Sequence, residues 1–509
     1  MNRIFTSALA AMAVFSAMAE RTFTHPGLSY SREEIEEMRR QIAAKAEPAY
    51  STFEALKNSG YSSLTSGEPA PVYAIGEGKH NATIGNDGRR AHDLALLYAL
   101  TGDTRYADSA LGYINRYNTL TNSSARGTAP LDNGKIYLML EAAELLRDYD
   151  GWSTADREQF CDMLVHPGYS DSGFPEAHYS LDDSRNDITF YWNIYNFDRS
   201  RWGNQGLFAA RGLMAMGIFL DNEKIYERAL RYVQGYESRT DDIPYSMGYT
   251  RRGRLNSETE YMADYSMSWI PGDREFISDE AIPNYIYANG QCQEACRDQG
   301  HVMAGLGQLV DIAEMAWHQG DDLYGAYDSR ILLGLEWALR YNLSAIQGAP
   351  WEPSGYADYE SRCSFDNGYF YRADSRSQRW HAKKPYDGDR LTSLSNVRYL
   401  RQALYHYMLR TPLPAERYEW LKKAVDYSDR HDGRVENWGA SGHHYEWKGW
   451  GSLTRPMAPV TDGAGSAIAD GEREQPPMFY DLQGRPAGTC PADSGFYITS
   501  DGHKTIIRR

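Results

Sequence analysis

Apolar residues recur at helical spacing along most of the chain. Nine segments place apolar side chains three and four residues apart, which is the pattern of a helix with one face in a core. Several connections between them are short and contain Gly, Asp or Asn, as turns between paired helices do. The predicted helices are Ala91–Leu100, Arg105–Tyr117, Lys135–Asp148, Asn204–Leu220, Glu223–Tyr236, Asp298–Trp317, Asp328–Tyr341, Leu394–Leu409 and Ala415–Ser428. The pattern therefore predicts a mainly α fold.

Two of these helix pairs resemble each other in sequence. Residues 110–117 read A-L-x-Y-I-x-x-Y, and residues 229–236 read A-L-x-Y-V-x-x-Y. Asp103 and Asn222 hold equivalent positions in the turns that precede them. Repeated helix pairs stack on one another because one pair cannot bury its own apolar face. The repeat predicts an arc or ring of helix hairpins.

Three long segments interrupt the helices, at residues 170–200, 244–279 and 342–389. They are rich in aromatic residues, Gly, Asp, Ser and Arg. Long loops in a compact domain are uncommon unless they are functional. We expect them to form walls over the mouth of the ring; partial disorder is the alternative, and their many Trp and Tyr residues argue against it.

The composition changes after about residue 455. Residues 456–477 are rich in Ala, Gly, Asp and Pro and predict a linker. Residues 478–509 predict a short β-rich C-terminal segment with strands Met478–Leu482, Gly495–Thr499 and Lys504–Ile507. Its Y-D-L-x-G-R and G-x-Y-I motifs resemble C-terminal sorting segments of exported bacterial proteins. A small β-appendage packed on the helical domain is the alternative.

The amino terminus has the pattern of a signal peptide. A short basic start is followed by the apolar run Ile4–Phe15 and by Ala17-Met18-Ala19, a small-residue cleavage pattern. We expect residues 1–19 to be removed, residues 20–455 to form the main domain, and the protein to be exported to the periplasm, the cell surface or the medium. No later apolar run reaches the roughly 18 residues of a membrane span.

The net charge of −16 argues against nucleic acid as a partner, because phosphate binding needs a basic surface. An anionic ligand would need a local basic cleft, for which candidates are Arg251, Arg252, Arg254, Arg297, Arg372, Arg376, Arg379 and Arg398. Five cysteines do not make a disulfide scaffold, although the spacing of Cys292 and Cys296 leaves a bond between them open. No metal-binding motif occurs, and we expect neither a metal nor another cofactor.

The segment Gln291–Tyr324 concentrates ionisable residues at the beginning of an apolar helical run. Glu294, Arg297 and His301 are spaced i, i+3 and i+7, which would align them on one face of a helix. Such a stripe predicts a site at the N-terminal end of the helix. The alternative is a surface ion pair between the acid and the arginine beside an incidental histidine.

The same segment resembles a family signature. Its E-x-x-R-D-Q-G-H, followed by an apolar run and A-W-x-Q-G-x-D-L-Y, resembles the signature of alginate-lyase-type polysaccharide lyases. Weaker similarities lie, in order, at His25-Pro26-Gly27, L-T-G-D at 100–103, residues 203–221, residues 398–407 and G-W-G-S-L at 449–453. The resemblance covers most of residues 22–455. It implies an (α/α) barrel or toroid and β-elimination on a uronic-acid polymer without a cofactor.

The resemblance also implies roles for particular residues. Elimination requires neutralisation of the uronate carboxylate, a base that removes the C5 proton and an acid that protonates the leaving oxygen. We expect His301 to act as the base or a carboxylate-side donor, Arg297 to bind the carboxylate, and Glu294 to orient Arg297. Tyr405 would face His301 across the cleft as the proton donor. The other expected contacts are Asn204 on the carboxylate side, and Arg398, Gln205, Trp202 and Gln299 in substrate binding.

Two other functions fit the same features. A glycoside hydrolase on an (α/α) toroid would use two carboxylates across the cleft, with Asp298, Glu294, Asp182 and Asp183 as candidates. A non-catalytic glycan-binding protein would keep the aromatic walls without needing Arg297 and His301. The sequence does not identify the polymer, its linkage or the oligomeric state. The predicted partner is an anionic polysaccharide or oligosaccharide.

Overall fold

The computed structural model describes the helical core and a set of short strands. The chain divides into two compact units, Met1–Pro459 and Val460–Arg509. The described residues are 21–64, 69–73, 75, 81–120, 134–165, 203–235, 281–292, 294–295, 298–347, 370–374, 379–383, 390–394, 397–431, 448–457, 479–480, 486–488, 495–499 and 504–507. The predicted signal peptide, linker and most of the three long segments lie outside them.

Among its described residues, the first unit is helical apart from one two-stranded sheet. Its helices are α1 Arg32–Ala43, α2 Ala49–Lys57, α3 Asn81–Thr101, α4 Thr104–Asn115, α5 Tyr137–Leu145, α6 Thr154–Leu164, α7 Gly203–Phe219, α8 Glu223–Gln234, α9 Ile282–Tyr285, α10 Gln299–His318, α11 Ala326–Ile346, α12 Leu400–Tyr405, α13 Glu419–His431 and α14 Gly451–Thr454. Short 3₁₀ turns lie at Gly60–Ser62, Gly134–Ile136 and Ala415–Tyr418, and a π-helix follows α12 at His406–Arg410.

The helices form a closed ring with a second layer outside it. The inner helices α3, α5, α7, α10 and α12 contact one another in that order, and α14 and α1 complete the circuit back to α3. Outside them, α4 packs on α3, α8 on α7, α11 on α10, and α13 on α11 and α12. This arrangement confirms the predicted (α/α) toroid of helix hairpins.

The sequence of each layer fits its place. All but the last residue of α5 are buried, because an inner helix has neighbours on both sides. The outer helix α13 instead buries one stripe, Leu421, Ala424, Val425 and Ser428, at i, i+3, i+4 and i+7. Asp103 and Asn222, the equivalent turn residues of the sequence repeat, both cap outer helices by accepting a backbone N–H bond.

Side-chain contacts show that neighbouring inner helices run in the same direction. Asn204, at the beginning of α7, bonds Glu294 just before α10, whereas Arg211, two turns later, bonds Asp311 in the middle of α10. Likewise Tyr399 bonds the Met303 carbonyl, and Gln402 in α12 bonds that of Val310, further along α10. The end at which these helices begin is called here the N-terminal end of the ring, and the opposite end its C-terminal end.

Three predicted helix boundaries differ from the structure. The helix predicted from Asp298 begins at Gln299, with Asp298 as its cap. The helix predicted from Leu394 begins only at Leu400 and continues as the π-helix. Near the beginning of α11, Tyr327, Asp328 and Ser329 adopt left-handed backbone angles. Apolar periodicity extends through all three boundaries, so it could not indicate where the backbone leaves the helix.

The strands are short. In the first unit β1, Phe370–Asp374, pairs antiparallel with β2, Arg379–Lys383. The second unit is a four-stranded sheet of β3 Phe479–Tyr480, β4 Pro486–Gly488, β5 Gly495–Thr499 and β6 Lys504–Ile507, in the order β4-β3-β5-β6. The predicted β-rich tail is confirmed, with one strand more than expected. Among the described residues, no helix has the length and apolar character needed to cross a membrane.

Candidate functional site at the N-terminal end of the ring

Two inner helices begin side by side, and one buried carboxylate joins them. The backbone N–H of Asn204 donates to Oε2 of Glu294 at 3.0 Å, and its side-chain Nδ2 donates to Oε1 at 2.5 Å. Tyr285 donates its hydroxyl to Oε2 of the same carboxylate at 3.1 Å. Glu294 therefore satisfies one of the backbone donors that α7 leaves free at its beginning, and it fixes that helix against the segment leading into α10.

Tyr285 reaches this carboxylate across a glycine. A Cβ at Gly305 would lie 1.7 Å from the Tyr285 hydroxyl, so any larger residue there would displace the ring. Burial and then the neighbouring Glu294 raise the pKa of Tyr285 well above its ordinary value. Tyr285 therefore stays protonated and serves as a hydrogen-bond donor to the carboxylate.

His301 stands one turn into α10 and is held by the residue that caps the helix. The Asp298 carboxylate accepts the backbone N–H of His301 at 2.9 Å and contacts its Nδ1 at 2.6 and 2.8 Å. Both side chains are 40% exposed. Nε2 makes no hydrogen bond within the part of the chain that the structure describes. The carboxylate thus fixes the ring and leaves Nε2 for a ligand.

The predicted stripe of Glu294, Arg297 and His301 on one helix is wrong. The helix begins at Gln299, because Asp298 is in an extended conformation and its side chain caps the first turn. Glu294 lies before the helix, in a turn closed by the Ala295 N–H on the Cys292 carbonyl. Arg297 lies outside the described residues. The structure brings Glu294 together with Asn204 and leaves His301 with Asp298.

Of the other residues predicted to lie at this end, one has a structural role and several fall outside the described residues. Gln299 is buried: its Nε2 donates to the Ala295 carbonyl, and its Oε1 accepts from Asn342 of α11, each at 3.0 Å. It therefore ties two helices together. Gln205 belongs to the first turn of α7, but its side chain lies outside the described residues, as does all of Trp202. Cys292 is a free, buried thiol, and its predicted neighbour Cys296 is not among the described residues.

The predicted helix face shared by Arg398 and Tyr405 is also wrong, because α12 begins at Leu400. Arg398 precedes the helix. Its neighbour Tyr399 donates to the Met303 carbonyl at 2.6 Å, which places this segment level with the first turns of α10. The backbone of Arg398 therefore lies near the level of Met303, and its side chain lines a pocket together with Asp311.

Tyr405 lies further along the ring. Its ring centre is 5.1 Å from the Arg410 guanidinium carbon and 5.9 Å from that of Arg455. Both arginines bind Glu314, which follows His301 by thirteen residues, or about 20 Å along an α-helix. The expectation that Tyr405 faces His301 across one sugar is therefore wrong, because its ring packs on these arginines near the C-terminal end.

A polar pocket lies between α10, α12 and the segment around α14. It is small, with a cavity volume of about 10 Å³, and is lined by Asp311, Arg398, Tyr399, Gln402, Lys448, Gly449, Gly451 and Thr454. Lys448 Nζ donates to Oδ1 of Asp311 at 2.6 Å and to the Tyr137 hydroxyl at 2.8 Å. Arg211 donates to the other Asp311 oxygen at 2.7 Å.

The residues predicted from the sequence did not include Lys448, Asp311 or Arg211. One signal was available, since Asp311 interrupts an otherwise apolar helical run, and a buried carboxylate needs cationic partners. Its partners lie 100 and 137 residues away along the chain. No local pattern could have identified them.

A cluster of charged side chains lies at the C-terminal end of the ring. Glu34, Glu314 and His318 offer ligand atoms within 4.8 Å of one another, as a metal site does. Arg410 and Arg455 already bind these carboxylates, with Arg455 Nη2 at 2.6 Å from Glu314 Oε1. Burial opposes ionisation of Glu314, but the two arginines hold its pKa well below the ordinary value. The group is thus an ion-pair network whose carboxylates are already neutralised.

Comparison with known proteins gives similarity only to solved structures. Neither a protein-family profile nor a curated protein matches the sequence. An alginate lyase from Bacteroides ovatus superposes with a TM-score of 0.45 at 12% identity, over 79% of this chain and 96% of that chain. Alginate lyase A1-III from Sphingomonas species A1 gives a TM-score of 0.37 at 13% identity, over 73% and 86%. At these scores and identities, neither similarity establishes a family, substrate or catalytic residue for this chain.

Proposed function

We propose that the protein is a polysaccharide lyase that cleaves a uronic-acid polymer by β-elimination. The observation that supports this most directly is the exposed imidazole of His301, oriented by Asp298 at the N-terminal end of the ring. A positioned imidazole with a ring nitrogen available to the ligand is the kind of base that abstraction of a C5 proton requires.

His301 would act through Nε2. Asp298 accepts the Nδ1 proton, which selects the tautomer with Nε2 free to accept a proton. The same carboxylate would stabilise the imidazolium that forms when C5 is deprotonated. The electrons of the C5–H bond would form the C4–C5 double bond as the bond from C4 to the leaving oxygen breaks, and that oxygen takes a proton.

The surroundings of His301 suit an anionic sugar. Helices α7 and α10 both begin at this end, and the N-terminal end of a helix carries a partial positive charge. Arg297, one residue before Asp298, is proposed to bind the uronate carboxylate, where its planar fork fits two oxygens. Asn204 and Glu294 are proposed to act as positioning residues, because they bond each other and hold the two helix ends together. Trp202 and Gln205 are proposed to contact the sugar ring.

The positions of the carboxylates favour a lyase over a hydrolase. A glycosidase needs two carboxyl groups that face the same glycosidic bond. Glu294 is fully buried against Asn204 and Tyr285, and Asp298 is committed to His301 and to the helix cap. Buried Glu294 is not placed to protonate a glycosidic oxygen, and Asp298 alone would not supply the pair of carboxyl groups. The other candidates, Asp182 and Asp183, lie outside the described residues.

The test is incubation of the purified protein with mannuronate, guluronate and glucuronate polymers. A lyase product carries a conjugated double bond, so ultraviolet absorbance should rise with at least one polymer as the chain shortens. New reducing ends without a rise in absorbance would support the hydrolase. Binding with neither change would support a non-catalytic glycan-binding protein.

We also propose that the protein is exported after removal of residues 1–19. The support is the basic start, short apolar run and Ala17-Met18-Ala19 pattern. Amino-terminal sequencing of the protein recovered from a bacterial periplasm or medium should begin at Glu20. Recovery of the intact amino terminus from the cytoplasm would contradict the proposal.

A further inference from the structure

We infer that Gln299 and Asn342 are positioning residues for the proposed reaction. The two side chains, called here the amide relay, would hold the backbone just before α10 in place beside His301. The inference rests on the proposed function for the reaction that is served, but not for the presence of the relay. It replaces the role predicted for Gln299, which was direct contact with the substrate.

Gln299 bonds back onto the turn that precedes its own helix. It is the first residue of α10, and its Nε2 donates to the Ala295 carbonyl at 3.0 Å. This hydrogen bond spans Arg297 and Asp298 in the sequence, so it closes the short stretch that carries both of them. The side chain of Gln299 thereby ties this stretch to the helix that carries His301.

Asn342 of α11 holds Gln299 in this orientation. Its Nδ2 donates to Oε1 of Gln299 at 3.0 Å and to the Ala338 carbonyl at 2.8 Å. Its Oδ1 accepts the backbone N–H of Leu391 at 2.9 Å. These bonds use both N–H donors and the oxygen of the Asn342 amide. A fixed amide therefore presents a donor to Gln299.

The backbone groups at the two ends of the relay determine its direction. The N–H of Leu391 can only donate and the carbonyl of Ala295 can only accept, so each of the two amides between them has one orientation. If either amide were reversed, two donors or two acceptors would face each other. Gln299 and Asn342 are both fully buried, where an unpaired polar group is costly. The relay is therefore a preorganised connection.

The relay lies at the N-terminal end of the ring. Asn342 is four residues from the end of α11, and its bond to Gln299 brings that end of α11 to the beginning of α10. Leu391 meets Asn342 at the same place. The long segment predicted at residues 342–389 therefore leaves and rejoins the ring beside the candidate site, and the relay connects both points to α10.

The relay can affect the reaction only through the groups that it holds. Because both amides are fully buried, neither touches a sugar. A shift of the stretch before α10 would instead displace Arg297, the proposed carboxylate ligand, and Asp298, which orients His301. A displacement of about 1 Å in a reacting group can cost roughly 10²-fold in rate. The relay therefore contributes positioning to the site.

The test breaks the relay at each of its two members. Gln299→Met and Asn342→Leu remove the amides with little change in side-chain size. For each variant, kcat/KM for double-bond formation is measured on the polymer that the parent cleaves, at a temperature at which all the proteins are folded. Amide hydrogen exchange is followed in peptides that cover residues 292–298. The matched control is Gln41→Met, at a buried glutamine of α1 that bonds Glu37 of the same helix at 2.7 Å.

Each relay variant should lower kcat/KM about tenfold or more, and residues 292–298 should exchange faster than in the parent. The double variant should lose no more activity than the more impaired single variant, because one break already interrupts the relay. Gln41→Met should keep parental kcat/KM and parental exchange at residues 292–298. Parental kcat/KM or parental exchange at these residues, in either relay variant, would overturn the inference.

A conservative variant separates positioning from general damage to the fold. In Gln299→Glu, a protonated carboxyl can accept from Asn342 and donate to the Ala295 carbonyl, whereas an ionised one is repelled by that carbonyl. Burial raises the pKa of a carboxyl group, so the ratio of variant to parent kcat/KM should rise as the pH falls. A ratio that does not change with pH would contradict a role for this hydrogen bond in the site.

The outcomes distinguish this inference from the proposed function. Faster exchange at residues 292–298 in both relay variants, in a protein that forms no double bond on any uronate polymer, would overturn the lyase and leave the relay in place. Elimination by both relay variants at the parental kcat/KM would overturn the positioning role and leave the lyase.

Discussion

The two ends of the ring use the same kinds of side chain in opposite ways. At the N-terminal end, His301 and Asp298 pair with each other while both remain 40% exposed. At the C-terminal end, His318 and Glu314 of the same helix are 5% and 0% exposed, among two arginines and a second glutamate. An exposed pair can exchange a proton with a ligand, whereas a buried network fixes its charges. We therefore assign the proposed chemistry to the N-terminal end and the contacts that close the ring to the C-terminal end.

The closure joins distant parts of the chain. Glu34 comes from α1, Glu314 from α10, Arg410 from the π-helix and Arg455 from the residue after α14. A second contact at this end holds the amino-terminal segment, where His25 lies between Glu144 at 2.7 Å and Asp221 at 2.8 Å. The first set connects elements from the two ends of the helical domain, and the second ties the amino-terminal segment to the ends of α5 and α7.

The largest effect should come from His301→Ala. Removal of the base is expected to lower turnover ~10²–10⁴-fold, while the melting temperature changes little because the side chain is partly exposed. The measurement is the rate of double-bond formation together with thermal unfolding. His431→Ala is the matched control, since His431 is an exposed histidine on the outer helix α13. Full activity of His301→Ala would move the chemistry away from this end.

Substitutions in the buried network at the C-terminal end of the ring should lower the free energy of unfolding. Glu314→Gln leaves Arg410 and Arg455 to share the single carboxylate of Glu34, and breaking a buried ion pair costs about 3–5 kcal/mol. Urea unfolding measures this loss. Glu419→Gln breaks only an exposed pair with Lys423 and should cost less than about 1 kcal/mol. At temperatures where Glu314→Gln stays folded, its elimination rate should match the wild type. An undiminished unfolding free energy would contradict the assignment of closure to this end.

The layered helical fold could be predicted from the sequence, whereas the arrangement of side chains at the two ends of the ring could be predicted only in part. Long apolar periodicity gives the helix pairs, and Asp103 and Asn222 mark turns that the structure confirms as caps. The i, i+3, i+7 spacing through Glu294 and His301 looked helical, but the capping side chain of Asp298 begins the helix five residues later than the stripe required. A single cap changes which side chains share a face, and apolar spacing carries no information about it.

Besides helix boundaries, local sequence patterns could not predict contacts between distant segments of the chain. The pairing of Asp311 with both Lys448 and Arg211 depends on three elements that meet only in the closed ring. The same is true of the Glu34, Glu314, Arg410 and Arg455 network. The His-Pro-Gly sequence at 25–27 was a recognisable motif, but its partners Glu144 and Asp221 become evident only from the structure.

A smaller change in the unfolding free energy is expected from His25, and it should depend on pH. Burial alone would lower the pKa of His25, but its bonds to Glu144 and Asp221 outweigh both burial and the nearby Arg147, and they raise it above 6.5. The stabilisation is therefore fully present below pH 6.5 and is lost as the pH rises through the folded-state pKa. His25→Gln should lower the unfolding free energy by about 1 kcal/mol at pH 6, and by less at pH 9. A difference that grows with pH would contradict this assignment.

The smallest effect should come from Tyr405→Phe. The substitution removes only the hydroxyl, and the ring can keep its contacts with Arg410 and Arg455. Because those arginines bind Glu314, about 20 Å along α10 from His301, a sugar at His301 does not reach this ring. We expect turnover within about threefold of wild type and an unfolding free energy within about 0.5 kcal/mol. Tyr73→Phe, at a tyrosine that is 63% exposed, is the control. A loss of turnover above a hundredfold, with binding retained, would place the reacting sugar deep in the ring and assign chemistry to the end described here as closed.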